Sequence, residues 1–245
     1  RTTENPMPSP PILLLPGTLC TAEVFSRQIE ALHAVCADIR VIEFRLESSI
    51  AEMASTVAGH IRDGEKVAVA GFSMGGMVAL DLAARFPLMI DRIALLNSNW
   101  HADEPDRRSR RLQYVTEAGR SSPRSVLENG FLGNYLYHQR TADRQLILDM
   151  AETHGLLSFA AQSEALASRP DCSDALRGLD CPLLVLGSRH DVLCPPRVQS
   201  EMHQMARDAQ LVMLEDSGHF SLLEQAQEVS AALVDWYLGR PPYSR

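Results

Sequence analysis

Short apolar runs recur along the chain, each pair separated by room for one amphipathic segment. Residues 12–15, 40–44, 66–70 and 92–96 read as strands. Residues 22–32, 50–61 and 74–85, lying between them, gather their apolar positions on one helical face. The strand runs are continuously apolar and do not alternate, which is the pattern of parallel strands covered on both faces. Strands alternating with helices predict an α/β layer architecture.

The rhythm breaks after Trp100. Residues 101–169 hold no strand-like run, only helical stretches at 107–118, 142–152 and 156–167. The α/β pattern then resumes with a strand at 182–187, a helix at 195–206, a strand at 210–214 and a closing helix at 220–238. This predicts a core in two parts, residues 1–100 and 170–245, interrupted at 101–169 by a helical lid. The alternative is that two of these helices are ordinary crossovers with long loops, but about seventy residues far exceeds a usual crossover. Only eleven residues precede Ile12, so no leading hairpin is expected and the sheet should hold about six mainly parallel strands.

The sharpest chemical signal is Gly71-Phe72-Ser73-Met74-Gly75, followed at once by Gly76. A serine on a tight strand-to-helix turn is held in a strained conformation with its hydroxyl pushed clear of the sheet. Glycines two residues either side are needed because a side chain there would collide with the neighbouring strand or helix. Chance gives such a match in about one chain of this length in ten, so its position between the strand run KVAVA and a helical pattern carries the weight.

With these residues the chain resembles the α/β-hydrolase superfamily, and the resemblance covers nearly its whole length. The family order is nucleophile, acid, histidine, each on the loop after a strand. Gly187-Ser188-Arg189-His190-Asp191 is similar to the acid loop, and Asp216-Ser217-Gly218-His219-Phe220 to the histidine loop. The resemblance therefore implies Ser73 as nucleophile, His219 as general base and acid, and Asp191 as the group that orients the imidazole. Asn97 and Asn99 occupy the loop where some hydrolases carry the acid; an amide cannot supply the charge, which favours Asp191. His190 adjoins Asp191 on the acid loop, a poor position for the base, and no histidine pairs in a motif with Cys20. The oxyanion donors implied are the N–H groups of Met74 and Thr18, with Leu19 as the fallback. At that loop the family usually has His-Gly where this chain has Pro16-Gly17, which removes a side chain that often buttresses it.

Substrate contacts are less sharply marked. Leu19, Trp100, His101, Phe131 and Tyr135 are candidates for the pocket wall, and helix-to-core packing accounts for the aromatic lid residues equally well. Between residues 101 and 145 there are eight arginines against six acids, while the rest of the chain carries −10. Arg107, Arg108, Arg110 and Arg111 form the densest cluster. It reads either as a solvated helix face paired with nearby acids or as a docking patch for an anionic substrate or an acidic partner such as an acyl carrier protein. The segment from Gly17 to Phe25 resembles carrier-protein methyl ester esterases, and the Ser-Met-Gly-Gly-Met elbow resembles enol-lactonases and small-lid carboxylesterases; local similarity does not decide between them.

Charge and composition exclude other classes. A net charge of −8 argues against general nucleic-acid binding. No apolar run approaches the roughly 20 residues that cross a bilayer. Five scattered cysteines without a CxxC pair predict neither a zinc site nor a disulfide framework and make a reducing cytoplasm the expected compartment. The chain opens on Arg1, so Met7 is the expected native start and residues 1–6 an appended leader. The reading is a serine hydrolase that cleaves a carboxylic ester or lactone through an acyl-enzyme on Ser73, without a cofactor. The alternatives are acyl transfer, lyase or carbon–carbon bond chemistry on the same three residues, or a ligand-sensing protein that uses the pocket as a receptor.

Overall fold

The computed structural model describes residues 9–241 of the 245-residue chain; the expectation about residues 1–6 and Met7 lies outside them. The first half runs β1 (Ile12–Leu15), α1 (Ser26–Leu32), β2 (Ile39–Val41), α2 (Ile50–Ala58), β3 (Val67–Phe72), α3 (Met74–Arg85) and β4 (Ile90–Leu96). Helices α4 (Pro105–Arg120), α5 (Pro123–Gly130), α6 (Leu132–Tyr135), α7 (Thr141–Ala167) and α8 (Ser173–Arg177) follow. The chain closes with β5 (Leu183–Ser188), α9 (Pro196–Met205), β6 (Ala209–Leu214), α10 (Ser221–Glu224) and α11 (Ala226–Tyr237).

The six strands form one sheet in the order β2-β1-β3-β4-β5-β6, and every pairing is parallel. Alternate residues of each strand feed opposite cores. Ile12, Leu14, Ala68 and Ala70 pack with α1 and α11, whereas Leu13, Leu15, Val67 and Val69 pack with α2 and α3. Burial on both faces explains why the strand runs are apolar without alternation. The strand order reverses between β1 and β3, and the loops leaving those strands at their carboxyl ends flank the crevice where ligands of open α/β sheets bind.

The structure differs from the sequence-based expectation at several elements. The strand expected at 40–44 ends at Val41, because the Glu43 carboxylate accepts from Ala22 N–H and the Phe44 carbonyl accepts from the Gln162 side chain, drawing the segment off the ladder. The helix expected at 22–32 begins as a 3-10 turn over Ala22–Phe25, capped by the Thr21 hydroxyl. The helices expected at 142–152 and 156–167 are one element, α7, broken at Gly155, whose φ of 73° a residue with a side chain rarely adopts. The closing helix divides at Gln225, where the Glu224 carboxylate turns to accept from Gly218 N–H and His138 N–H and the Gln225 side chain accepts from Asp216 N–H.

Helix α5 was marked in the sequence by a start signal that the apolar pattern obscures: Ser122 caps it through Ser125 N–H, and Pro123 occupies the first helical position. Helices α4 to α7, between β4 and β5, bury Ala118, Val126, Leu127, Leu132, Ile147 and Phe159 in the same cluster as Leu19, Phe72 and Phe220. No described helix is long and apolar enough to cross a membrane.

Candidate active site

Ser73 sits between β3 and α3 at φ 52°, ψ −113°. A positive φ is strained for a residue with a side chain, and it persists only where the surroundings over-determine it. Here Ser73 N–H donates to the Leu96 carbonyl at 2.9 Å, and the Ser73 carbonyl accepts from Ser98 Oγ at 2.7 Å and from Gly76 N–H at 3.0 Å. The turn closes so tightly that a Cβ on Gly75 would land on the Leu15 carbonyl, and one on Gly71 on the Gly75 carbonyl. Both obstacles are backbone and cannot rotate away. Gly75→Ala is therefore expected to lose folded yield or shift the elbow, and a variant with wild-type melting temperature and activity would contradict this geometry.

The loops after β5 and β6 bring two more groups to Ser73. His219 Nε2 lies 3.0 Å from Ser73 Oγ, and His219 Nδ1 lies 2.9 Å from Asp191 Oδ2. Both side chains are buried. Asp191 Oδ1 accepts from the N–H groups of Leu193 and Cys194, each at 2.9 Å, and Oδ2 also accepts from Asn97 Nδ2 at 3.0 Å. Burial alone would raise the Asp191 carboxyl; the His219 ring and these hydrogen bonds outweigh it and hold the group below its ordinary value. An ionised Asp191 places the imidazole proton on Nδ1 and leaves Nε2 free to accept from the serine hydroxyl.

Asn97 has a role its residue type did not suggest. It stands at φ 46° just past β4 and is fully buried. One amide hydrogen reaches Asp191 and the other Ser188 Oγ at 3.0 Å, while its Oδ1 accepts from Ser221 Oγ at 2.6 Å. It therefore acts as a fixed donor to the carboxylate, and its own orientation is pinned on both sides.

On the loop after β1, Thr18 borders the cavity above Ser73. Leu19 does not: it is buried at φ 56°, and its N–H donates to Gln162 Oε1 at 2.7 Å, so it neither contacts the cavity nor offers a free donor. Gln162, from α7, also donates to the Phe44 carbonyl at 2.6 Å, and His154 Nε2 lies 3.0 Å from the Cys20 carbonyl. Helix α7 thus supports the loop where the sequence lacks a buttressing histidine. Met74 opens α3, so its N–H has no intrahelical partner. Burial pushes the Cys20 thiol far up, which makes it a poor nucleophile.

The cavity holds about 100 Å³. Phe131 and Tyr135 are in its wall, in a chain of edge-on and tilted ring contacts from Tyr114 to the His219 ring at centroid distances of 4.5, 5.9 and 6.0 Å. Trp100 and His101, expected in the wall, lie away from it. Their rings pack on each other at 3.7 Å, Trp100 leans on the α2–α3 side core, and His101 approaches Glu201. His190 stacks on Tyr137 and does not approach Ser73. Of the arginine cluster, Arg107, Arg108 and Arg110 are exposed and Arg111 is half-buried; Arg107 and Arg111 also reach the cavity wall, together with the buried Arg169. Asp191, Cys194 and His219 present ligand-type atoms within 4.8 Å of one another. As a metal cage the set is poor: both Asp191 oxygens and both imidazole nitrogens are engaged, and burial pushes the Cys194 thiol well up.

Comparison with known proteins agrees with this arrangement of strands and loops. The model of the alpha/beta hydrolase family matches residues 12–232, nearly the whole described chain. The chain belongs to that family. Among curated relatives of this alpha/beta hydrolase is a pimeloyl-[acyl-carrier protein] methyl ester esterase of Neisseria meningitidis, 28% identical over 179 residues, covering 70% of this chain and 69% of the relative. Solved structures with the same fold include a thermophilic esterase from Thermogutta terrifontis (TM-score 0.85, 24% identity, 95% and 90% of the two chains). They also include the enol-lactonase from Burkholderia xenovorans LB400 (TM-score 0.82, 21% identity, 96% and 94%).

Proposed function

We propose that this alpha/beta hydrolase cleaves a carboxylic ester or lactone through an acyl-enzyme on Ser73. The observation that carries the reading is the unbroken chain from Ser73 Oγ through His219 to Asp191, at 3.0 and 2.9 Å, beside the cavity that Ser73 and His219 line. Ser73 Oγ attacks the carbonyl carbon while its proton passes to His219 Nε2. The N–H groups of Met74 and Thr18 stabilise the oxyanion. Collapse expels the alcohol oxygen, which takes the proton from Nε2. Water then attacks the acyl-enzyme with His219 as base and releases the acid and the free serine. Asp191 stays ionised throughout and steadies the imidazolium. Helices α4 to α7 roof the cavity as a lid. The relatives' esterase and lactonase names support this class of reaction.

The test is hydrolysis of a chromogenic ester series from acetyl to dodecanoyl. A cavity of about 100 Å³ is well below the roughly 300–1,000 Å³ of ordinary small-molecule pockets, so the optimum is expected among the shortest acyl groups with a steep fall beyond. Turnover that survives Ser73→Ala, or a long-chain optimum, would contradict the reading. Acyl transfer or lyase chemistry would instead give a labelled Ser73 with negligible ester turnover.

Gln162 is a positioning residue in this scheme, because it fixes the loop that aims Thr18 N–H. Gln162→Met is expected to lower kcat about tenfold to a hundredfold with a small change in KM, somewhat less than deletion of an oxyanion donor. Measured where the variant remains folded, an unchanged kcat would remove Gln162 from the mechanism.

A further inference from the structure

The cavity above Ser73 has three arginines in its wall, Arg107, Arg111 and Arg169, and no aspartate or glutamate among the described residues that form it. Asp103 compensates part of this charge from behind. Its fully buried carboxylate accepts from Arg111 Nε at 2.8 Å and Nη2 at 3.1 Å and pairs with Arg169 Nη1 at 2.7 Å. Two of the three guanidinium groups share that one carboxylate, and Arg107 has no acidic partner within 4.0 Å among the described residues. Structural pairing accounts for Arg111 and Arg169, which tie the loop after β4 to the end of α7. It does not account for Arg107.

The helix explains which arginines reach the cavity. Arg107 and Arg111 are four residues apart, so they share one face of α4 about 6 Å from each other along its axis. Arg108 and Arg110 fall on other faces and do not line the cavity, whereas Arg107, itself partly open to solvent, does. Arg107 also stands in the first turn of this 16-residue helix, where unsatisfied N–H groups add positive potential. Leu127, Phe131, Phe159 and Leu166 complete the wall, and their apolar surface strengthens any charge pairing formed beside it.

We infer that the cavity selects an ester or lactone carrying a carboxylate away from the reacting carbonyl, with Arg107 as its anchor. A half-ester of a short dicarboxylic acid has this chemistry. Guanidinium matches a carboxylate through two parallel hydrogen bonds. The inference rests on the ester-hydrolysis reading for its substrate class, although the anion site itself can be measured without turnover.

Calorimetry on the Ser73→Ala protein reads binding alone, using monomethyl succinate, glutarate and adipate beside their dimethyl esters. The half-ester is expected to bind about tenfold to a hundredfold tighter than its diester, the range for a hydrogen-bonded charge. Arg107→Gln in the same background should reduce that ratio to within about threefold, while Arg108→Gln should keep it. Equal binding of half-ester and diester, or selectivity that survives Arg107→Gln, overturns the inference. Turnover by the wild-type protein separates the two readings. Ser73-dependent hydrolysis of diesters without anion selectivity leaves the esterase standing and removes the carboxylate anchor. Anion-selective binding with no ester hydrolysed does the reverse.

Discussion

Ser73→Ala is expected to lower ester turnover on the order of 10⁵- to 10⁶-fold while leaving the melting temperature nearly unchanged. The catalytic loss follows from removing the atom that forms the covalent bond; what remains is the acceleration from binding and the oxyanion donors. The fold is spared for a specific reason. Alanine keeps the Cβ and therefore the same backbone strain at φ 52°. The hydrogen bonds that hold the turn, from Ser73 N–H and to the Ser73 carbonyl, are all backbone groups of that residue. The hydroxyl contributes only its contact with His219 Nε2. His219→Ala alone should cost nearly as much as the double variant, because groups that act as one unit are not additive. Kinetics of all three proteins, with thermal melts, check both statements.

The largest expected effect on stability lies at Asp103. Asp103→Ala should destabilise the protein by about 3–5 kcal/mol, because it strands a guanidinium that cannot reach water. Arg169 has only 5% of its side chain exposed, and the Asp103 side chain has none. For a chain of this size the melting temperature should fall by roughly 10 °C. The same pair gives a pH dependence with a definite sign. Burial alone would raise the Asp103 carboxyl, but Arg111 and Arg169 outweigh it and hold the group below its ordinary value. Between the folded and unfolded values the unfolded chain binds the extra proton, so stability rises with pH there. The contribution is present above about pH 4, the ordinary aspartate range, and is lost as pH falls through the lower, folded value. Asp103→Asn should flatten that acid-side slope in a pH series of denaturant melts. An Asp103→Ala variant as stable as wild type would contradict the buried clamp.

Local geometry explains what the sequence made legible. An elbow that brings two backbones into contact demands glycine at fixed offsets from Ser73, so Gly71 and Gly75 are visible as letters. Continuous apolar runs located the strands, and the loops leaving β3, β5 and β6 carry the three residues that the fold joins by hydrogen bonds. Partners distant along the chain were illegible. Leu19 and Gln162 are 143 residues apart, and nothing in either neighbourhood announces that an amide from α7 will hold the loop after β1. Arg169 was hidden in the same way, since its partner Asp103 stands 66 residues earlier, before α4. Trp100 and His101 follow β4 and looked well placed for the pocket, but the chain turns at Asn97 with φ 46° and directs them elsewhere. Asn97 reads in the sequence only as a residue standing where an acid could be; its value as a donor depends on where Asp191 ends up.

The most direct test is to quench the reaction with a slowly hydrolysed chromogenic ester in acid and measure the mass of the protein and its peptides. An added acyl group is expected on the peptide containing Ser73, formed in a burst with release of the alcohol and absent from Ser73→Ala. Steady turnover with no burst and no adduct, or an acyl group on any other residue, would contradict it.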